Sequence, residues 1–359
     1  MIQEITQSQA FYHWNKFTFE LPSLVPFSFN PSLFNFYRKY FNWKPYYILI
    51  FDSNKVLGVL PVVFTERSWV SVPHFSYGGY LSSGLPKNLS VETLMGLIDG
   101  LVHYDSGFYI LDIKDIKPAL KKSSSRLFIR SFRQDALNSS YASEKVSSII
   151  QLPLEKEILW DSLNHNLKRK IRKAKKNDDL SIEIGSFELL DDFFYVYEKN
   201  IRQLKSLNFN KKFFADLMNC WDYGSINIFV AYHNNLPVGA TMLASYMGFF
   251  ENMFFATISD YRRHYISDYL NWEMITYSII EKNDKLSTSN KESVYSFGRS
   301  SDNSGVYKYK NHWPVTNYRL YNYQNFFDIR KKNWLYYMWG KLPNNLVSYL
   351  SPKLIKHIY

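Results

Sequence analysis

Residues 226–246 read INIFVAYHNNLPVGATMLASY, which is two apolar runs separated by a short polar break. Asn234 and Asn235 stand in the break, and asparagine tolerates the left-handed backbone that a tight turn requires. Apolar runs on both sides of such a turn are typical of paired strands. The stretch therefore predicts a β-hairpin.

The segments on both sides of this hairpin predict a mixture of strands and helices. Residues 46–64 have the pattern of a second hairpin, with its turn at residues 52–54. After the first hairpin we expect a strand over residues 252–258, a helix over residues 268–281 and a strand that ends at Phe297. The predicted fold class is therefore α/β with mixed sheets.

The chain has 359 residues, more than one hydrophobic core usually serves, since single cores stop growing at about 250–300 residues. Two domains are therefore expected, over residues 1–145 and 146–325. A basic amphipathic tail follows over residues 326–359, with aromatic residues among lysines and arginines. The tail suits either a lipid interface or a contact with the first domain, and we favour the contact.

Composition limits the classes of partner and compartment. The formal net charge of +11 and the pI near 9.3 favour an acidic partner, whether nucleic acid, a phosphorylated small molecule or an anionic membrane surface. A single cysteine, Cys220, excludes an internal disulfide and suits a reducing compartment. No secretion signal and no run of about 18 apolar residues occurs, so we expect a cytoplasmic protein without a membrane span.

Residues 297–313, FGRSSDNSGVYKYKNHW, form the motif that is richest in polar chemistry. Gly298 lets the backbone approach another group closely, and Arg299 offers a planar fork that suits phosphate or carboxylate. This pattern is typical of an anion-binding site. A polar hairpin between two strands is the alternative that spacing leaves open, and a strand lysine there would usually be exposed.

A second cationic segment lies at residues 168–176, KRKIRKAKK, with seven basic side chains in nine positions. Apolar residues recur at helical spacing through this region, so one helix face can dock on a core while the cations point outward. Lys168 and Arg172 lie four residues apart and could hold one phosphate group together. A solvated basic face is the alternative.

The polar motif also resembles the signature of a known family. FGRS at residues 297–300, SG at residues 304–305, the pair Tyr309 and Lys310, and Trp313 are similar to the C-terminal signature of the FemAB-like acyltransferases of the GNAT superfamily. The likeness is greatest to the exosortase-associated, PEP-CTERM-linked branch.

Three earlier segments agree with this resemblance. Residues 72–84, VPHFSYGGYLSSG, resemble the family's Tyr-Gly-Gly element, and residues 163–180 resemble its basic helix. Residues 226–246 are similar to the central hairpin of the GNAT fold. The chain departs from the family at Pro314, where Gly is usual, and at Tyr309, where Phe is usual.

The resemblance implies two tandem GNAT-like domains with a short helical C-terminal tail. It also implies transfer of an acyl or aminoacyl group onto an amine of a cell-envelope or exopolysaccharide precursor. Lys310 would offset the charge of the oxyanion, and Tyr307 would relay a proton unless it only packs. The residues expected to bind the acceptor are Lys168, Arg172, Arg299, Ser300, Gly305, Tyr77 and Gly78. Those expected to bind the donor are Arg262, Arg263 and Asn271.

The expected donor is an aminoacyl-tRNA or an acyl-coenzyme A, and no tightly bound cofactor or metal is expected. In GNAT enzymes a glycine-containing turn before a helix cradles the coenzyme A pyrophosphate, whereas residues 262–269, RRHYISDY, contain no glycine. This absence favours the tRNA. The expected partner is a phosphorylated or lipid-linked envelope precursor; tRNA and the anionic inner face of the membrane are further candidates, and DNA is not expected.

Two alternatives stay open at this point. An acyl-coenzyme A-dependent GNAT N-acyltransferase that acts on a sugar or peptide amine would use the same fold. A non-catalytic module that binds RNA or a membrane surface would use the net charge and the basic helix. Binding by charge alone has no need of the Gly-Arg-Ser and Ser-Gly pattern. For the enzyme, we expect Lys168, Arg172, Arg299 and Lys310 to converge on one cleft.

Overall fold

The computed structural model describes residues 2–22, 24–66, 68–79, 81–83, 96, 100–101, 103–112, 126–131, 141–286, 292–324, 342 and 344–357. The chain divides into two compact units. Unit 1 comprises Met1–Lys145, Arg319–Ile329 and His357–Tyr359, and unit 2 comprises Val146–Tyr318 and Arg330–Lys356. The chain thus changes unit after Tyr318, whereas the sequence placed the end of the second domain at residue 325.

Both units combine strands with helices. The strands are β1 (Ile2–Ile5), β2 (Lys44–Asp52), β3 (Lys55–Phe64), β4 (Trp69–Val70), β5 (Leu81–Ser82), β6 (Gly107–Asp112), β7 (Leu127–Ser131), β8 (Tyr141–Gln151), β9 (Leu180–Gly185), β10 (Ser225–His233), β11 (Leu236–Tyr246), β12 (Phe249–Thr257), β13 (Val294–Ser301) and β14 (Thr316–Gln324). The helices are α1 (Gln7–Glu20), α2 (Leu33–Phe36), α3 (Lys156–Ser162), α4 (His165–Lys175), α5 (Leu190–Gln203), α6 (Lys211–Cys220), α7 (Ile266–Leu286), α8 (Gly305–Lys310) and α9 (Asn344–Leu354). Across the described residues, no helix has both the length and the apolar character needed to cross a bilayer.

Unit 1 is built on a mixed sheet with the strand order β1–β6–β2–β3–β4–β7–β14, and β5 pairs with β3. β2 is parallel to β6 and antiparallel to β3, so the hairpin predicted over residues 46–64 is confirmed. α1 starts at Thr6, whose side chain and that of Gln9 form a capping box. Trp14 of α1 is fully buried, stacks on Tyr47 and donates its indole N–H to the carbonyl of Phe29, which fixes the helix on the sheet.

Unit 2 contains the sheet order β8–β13–β12–β11–β10–β9. The pairs β9–β10, β10–β11 and β11–β12 are antiparallel, and the pair β12–β13 is parallel. The β10–β11 hairpin turns at Asn234 and Asn235, which adopt φ values of 51° and 63°. The hairpin predicted over residues 226–246 is therefore confirmed, together with the left-handed backbone that its asparagines allow.

α4 and α7 pack against each other and against the sheet of unit 2. α4 buries Leu167, Ile171 and Ala174, which recur at helical spacing, while its charged residues stay at the surface or contact α7. Leu270 and Ile275 of α7 join the same core. α5 packs on β11 and β12. The basic helix and the helix after β12 that the sequence predicted are thus both present.

The tail expectation falls partly outside the described residues, which resume in this region at residue 342 and then at residue 344. α9 belongs to unit 2, and the hydroxyl of its fully buried Ser351 accepts the backbone N–H of Asn208 at 2.6 Å. The expectation that the tail packs on the first domain stays a prediction. Leu346 and Tyr349 of α9 remain exposed.

Candidate active site

The parallel strands β12 and β13 pair over a short length only. The register joins Phe249 to Val294, Phe250 to Tyr295 and Glu251 to Ser296, and the later residues of these strands form no ladder with each other. A register irregularity in β11 opposite β12 and a positive φ of 53° at Phe254 accompany this change. β12 and β13 therefore separate after the pair Glu251 and Ser296. Backbone and side-chain polar groups lie near the place where the two strands separate.

Lys310 reaches this place from the short helix α8. The helix starts at Ser304, whose hydroxyl accepts the backbone N–H of Tyr307 and so satisfies a helix-terminal donor. Lys310 is 5% exposed, and its ammonium donates to the carbonyl of Gly298 at 2.8 Å. Gly298 has a φ of 69°, which suits glycine. The sequence-based alternative of an exposed strand lysine is corrected, because Lys310 is helical and buried.

The charge of Lys310 is held in a poorly solvated place. Burial lowers the pKa of Lys310 from 10.5 to about 8, and the nearby carboxylate of Glu251 opposes that shift. Glu251 is itself only 3% exposed. At neutral pH the amine remains mostly protonated, so it can donate hydrogen bonds to a developing negative charge.

A buried amide, that of Asn271 of α7, contacts Tyr309, the residue that precedes Lys310. Its Oδ1 accepts from the Nδ2 of Asn252 at 3.1 Å and from the hydroxyl of Tyr295 at 3.0 Å. Its Nδ2 donates to the carbonyl of Ser267 at 2.8 Å and to the hydroxyl of Tyr309 at 3.2 Å. Asn271 is 1% exposed, so these contacts do not fit the donor-binding role that the sequence suggested for it.

A buried carboxylate lies near Tyr309. It belongs to Asp268 of α7, and the ammonium of Lys170 of α4 lies 3.9 Å from it. Burial raises the pKa of Asp268, while Lys170, Tyr309 and His312 oppose the change. Lys170 is therefore the cation of α4 that approaches the elements around Lys310.

The other members of the motif lie in different surroundings. Ser300 is 6% exposed, and its hydroxyl has no hydrogen-bond partner among the residues that the structure describes. Arg299 is half-buried on β13, and Tyr307 is half-buried on α8. Gly305 is exposed, and a Cβ there would meet nothing within 4 Å. Ser300 thus offers a free hydroxyl near the parted strands.

Lys168 and Arg172 of α4, which were expected to hold one phosphate group together, contact different groups. The ammonium of Lys168 donates to the carbonyl of Asp161 at 3.1 Å. The guanidinium of Arg172 lies over the ring of Trp160 at 5.2 Å. In the described part of the chain no hydrogen bond or ion pair joins either residue to Lys310. Their convergence with Lys310 is therefore not seen in these contacts.

The start of α4 is nevertheless fixed to the segment after α8. Asn164 caps α4 by accepting the backbone N–H of Leu167 at 2.9 Å. Its Nδ2 donates to the carbonyl of His312, also at 2.9 Å. One side chain therefore begins the basic helix and holds the turn that follows Lys310.

The predicted donor-binding arginines lie in the turn Ser259–His264. Arg262 and Arg263 are both exposed, and Arg263 donates to the ring of His264 at 3.2 Å. α7 follows this turn and carries Asp268 in its first turn. A carboxylate at this end of a helix opposes the binding of an anion, which the helix dipole would otherwise favour.

Tyr77 and Gly78 belong to unit 1 and were expected to face the acceptor. Tyr77 is 1% exposed, and the N–H of Gly78 donates to the carbonyl of Arg130 at 2.7 Å. A Cβ at Gly78 would lie 2.5 Å from the carbonyl oxygen of Ser71, so close approach of two backbones explains the glycine. Tyr77 is thus buried, and Gly78 has a structural role within unit 1. That the two residues face the acceptor stays a prediction.

Four polar residues of the site were not predicted from the sequence, namely Glu251, Asn252, Asp268 and Tyr295. A signal for the first two exists in FFENMFFAT, where two polar residues interrupt an apolar strand. Asp268 and Asn271 lie three residues apart on one helix face, but nothing local shows that the face is buried. In the described residues no group of His, Cys, Asp and Glu could hold a metal ion.

Most of the first segment of unit 2 matches the model of a known protein family. Residues 162–310 match the family model for an acetyltransferase (GNAT) domain, from the end of α3 to Lys310 itself. Unit 2 carries a GNAT acetyltransferase domain. The protein is accordingly an acyltransferase. No curated protein matches the chain.

Solved structures resemble the chain over most of its length. FemX is 12% identical, with a TM-score of 0.57, and the match covers 90% of this chain and 97% of that chain. A tandem GNAT protein from the clavulanic acid biosynthesis pathway is 7% identical, with a TM-score of 0.51 and coverages of 91% and 99%. A conserved protein of unknown function from Bacteroides thetaiotaomicron VPI-5482 is 11% identical, with a TM-score of 0.50 and coverages of 89% and 98%. These likenesses concern the fold, and they confirm the predicted mixed α/β, tandem GNAT-like fold class.

Proposed function

We propose that this GNAT acyltransferase is of the FemAB type and transfers an aminoacyl or acyl group onto an amine of a cell-envelope or exopolysaccharide precursor. The observation that carries the proposal is the buried ammonium of Lys310 on the carbonyl of Gly298, where β12 and β13 part. The FemAB-like signature at residues 297–313 supports the choice of family. The assignment to the exosortase-associated, PEP-CTERM-linked branch rests on the same residues.

The proposed chemistry needs one cation at the reacting carbonyl. The lone pair of the acceptor amine forms a bond to the acyl carbon, and the carbonyl electrons move onto oxygen. The ammonium of Lys310 stabilises that oxyanion until the bond to the donor oxygen or sulfur breaks. The carbonyl re-forms as that bond breaks, and the extra proton of the acceptor amine passes to the leaving oxygen or sulfur. The products are therefore an amide and the free tRNA hydroxyl or thiol. Ser300, whose buried hydroxyl has no partner in the described residues, is the proposed contact to the acyl group.

The acceptor is proposed to be phosphorylated or lipid-linked and to be met at the cytoplasmic face of the membrane. The fork of Arg299 and the exposed cations of α4 supply the positive charge that such an anion requires. Arg262 and Arg263 are proposed to contact phosphates of the donor. The exposed position of both arginines in the turn before α7 supports this role.

Aminoacyl-tRNA is the proposed donor, because the turn before α7 suits a pyrophosphate poorly. Asp268 places a carboxylate in the first turn of the helix, and the turn contains no glycine. The match of residues 162–310 to an acetyltransferase domain favours one alternative, an acyl-coenzyme A donor with a sugar or peptide amine as acceptor.

Isothermal calorimetry separates the two donors. We expect total aminoacylated tRNA to bind with a Kd in the micromolar range and coenzyme A to give no heat. Micromolar binding of coenzyme A, together with acetyl transfer to an amine, would replace the tRNA proposal with the alternative. Mass spectrometry of envelope polymers from a strain that lacks the gene tests the acceptor. Polymers without any loss of an aminoacyl or acyl group would contradict the proposed class of acceptor.

A further inference from the structure

We propose that Asn271 is a positioning residue for Lys310, and that it acts through the hydroxyl of Tyr309. The inference rests on the proposed role of Lys310 in acyl transfer. It assigns to Asn271 a function inside the protein, in place of contact with the donor.

The hydrogen bonds of the Asn271 side chain are complete. A side-chain amide has two acceptor and two donor positions, and all four are used here. The orientation of the amide is set by its partners, because Ser267 offers a carbonyl that can only accept. A buried amide with every position satisfied holds its neighbours in one arrangement, and loss of any contact leaves a buried polar group unpaired.

Asn271 joins three different elements of unit 2. Asn252 lies on β12, Tyr295 lies on β13 and Tyr309 lies on α8. The strands β12 and β13 stop pairing at the level of Glu251 and Ser296, next to the first two of these contacts. Asn271 therefore bridges the strands where their ladder ends and attaches the lysine-bearing helix at the same point.

Tyr309 is held by its contact with Asn271. Its hydroxyl accepts a hydrogen bond from the Nδ2 of Asn271 at 3.2 Å. Because that amide is itself fixed by its other partners, the bond holds the Tyr309 ring in one position. Lys310 is the next residue along α8, so the placement of its ammonium on the carbonyl of Gly298 depends on that anchor.

Several charged or titratable groups lie on the elements that carry Lys310 and its anchor or that pack near them. They are Glu251 on β12, Tyr295 and Arg299 on β13, Asp268 on α7, Lys170 on α4, Lys308 on α8 and His312 after α8. Removal of the Tyr309 hydroxyl changes none of these charges. A change in the titration of Lys310 would therefore report a change in its position or burial.

The test uses Tyr309→Phe, which removes one oxygen and leaves no large cavity. Competitive labelling with acetic anhydride over a pH range measures the titration of the Lys310 amine without any enzyme assay. For the wild type we expect a midpoint at about 8. For Tyr309→Phe we expect the midpoint to rise by about one pH unit, because a freed side chain becomes better hydrated. We also expect kcat to fall by roughly 10- to 100-fold with little change in KM.

Tyr232→Phe is the matched control, because it removes a tyrosine–aspartate hydrogen bond of 2.6 Å to Asp192 elsewhere in unit 2. Both the labelling and kcat should stay at wild-type values in this control. Asn271→Leu, which keeps a similar volume, loses both donors and adds no charge, should reproduce the effect of Tyr309→Phe. A variant that carries both substitutions should then have the same Lys310 midpoint as Tyr309→Phe alone.

An unchanged Lys310 midpoint in a folded Tyr309→Phe variant would overturn the inference. The inference would also fail if the Lys310 midpoint shifted equally in Tyr309→Phe and Tyr232→Phe, since an equal shift would report general destabilisation. If the midpoint rises but no donor yields product with the wild type, the positioning role stands and the proposed acyl transfer fails. The two claims are therefore tested separately.

Discussion

Replacement of Lys310 by methionine separates catalysis from stability at one position. Methionine fills a similar volume without charge, so the packing around α8 is expected to persist. Loss of one donor to an oxyanion commonly lowers kcat by about 10²- to 10³-fold, or roughly 3–4 kcal/mol of transition-state stabilisation. We expect a loss of this size for Lys310→Met in a transfer assay with the donor that calorimetry identifies. Lys308→Met, on the exposed side of the same helix, is the control.

The same variant has a defined effect on the pH dependence of unfolding. The folded-state pKa of Lys310 is lowered from 10.5 to about 8 by burial. Below about pH 8 the amine is protonated in both states, and the folded state carries the full cost of the buried charge. As pH rises from about 8 to 10.5, only the folded state loses the proton, so folding becomes more favourable by about 1.4 kcal/mol for each pH unit. Lys310→Met lacks this gain.

Denaturant titration of both proteins measures that difference. Between about pH 7 and about pH 9.5, the unfolding free energy of the wild type should rise by about 2 kcal/mol relative to Lys310→Met. Two proteins whose stabilities change in parallel over this range would refute the burial of a titrating amine. An unchanged kcat in the folded variant would remove Lys310 from the reaction. Either result could occur without the other, so each tests one link of the reasoning.

Two further substitutions test the backbone of the two units. Asn235 has a φ of 63°, which glycine adopts easily and valine does not. Asn235→Gly should therefore leave the unfolding free energy within about 0.5 kcal/mol of the wild type. Asn235→Val should lower it by roughly 1–2 kcal/mol. Equal stability of the two variants in denaturant titration would contradict the turn. Gly78→Ala should destabilise unit 1 by roughly 1–3 kcal/mol, since its Cβ would lie 2.5 Å from the carbonyl of Ser71. Gly305→Ala meets no neighbour and should not lower the melting temperature, and a similar loss in both would argue against the clash.

The hairpins and the basic helix could be predicted because their causes are local. Two asparagines between apolar runs allow the turn at residues 234–235, and an apolar stripe at helical spacing defines α4. The fold class follows from the order of such elements. The second change of unit, after Tyr318, could not be predicted, because it depends on which distant strand pairs with the end of the chain.

The helical state of Lys310 was less accessible from the sequence. Val306, Tyr307 and Tyr309 favour strands, whereas the N-cap at Ser304 favours a helix start, and the cap prevails in the fold. Three of the four partners of Asn271 lie 19 to 38 residues away in the chain, so no local pattern indicates them.

The basic helix shows how charge counts mislead about a site. Lys170 and Lys175 approach Asp268 and Glu273 of α7, and Lys173 lies over the ring of Tyr265. The number of cations in the segment is evident in the sequence, but their division between internal contacts and the surface depends on the rotation of α4. That rotation is set by the core contacts of Leu167 and Ile171.

The double use of Asn164 limits how this chain can diverge. Aspartate or serine would preserve the start of the basic helix but could not donate an amide proton to the carbonyl of His312. Glutamine would donate but is too long to replace asparagine as a cap. Among homologues that keep both functions of this side chain, asparagine should therefore be retained at position 164, although the residue is exposed.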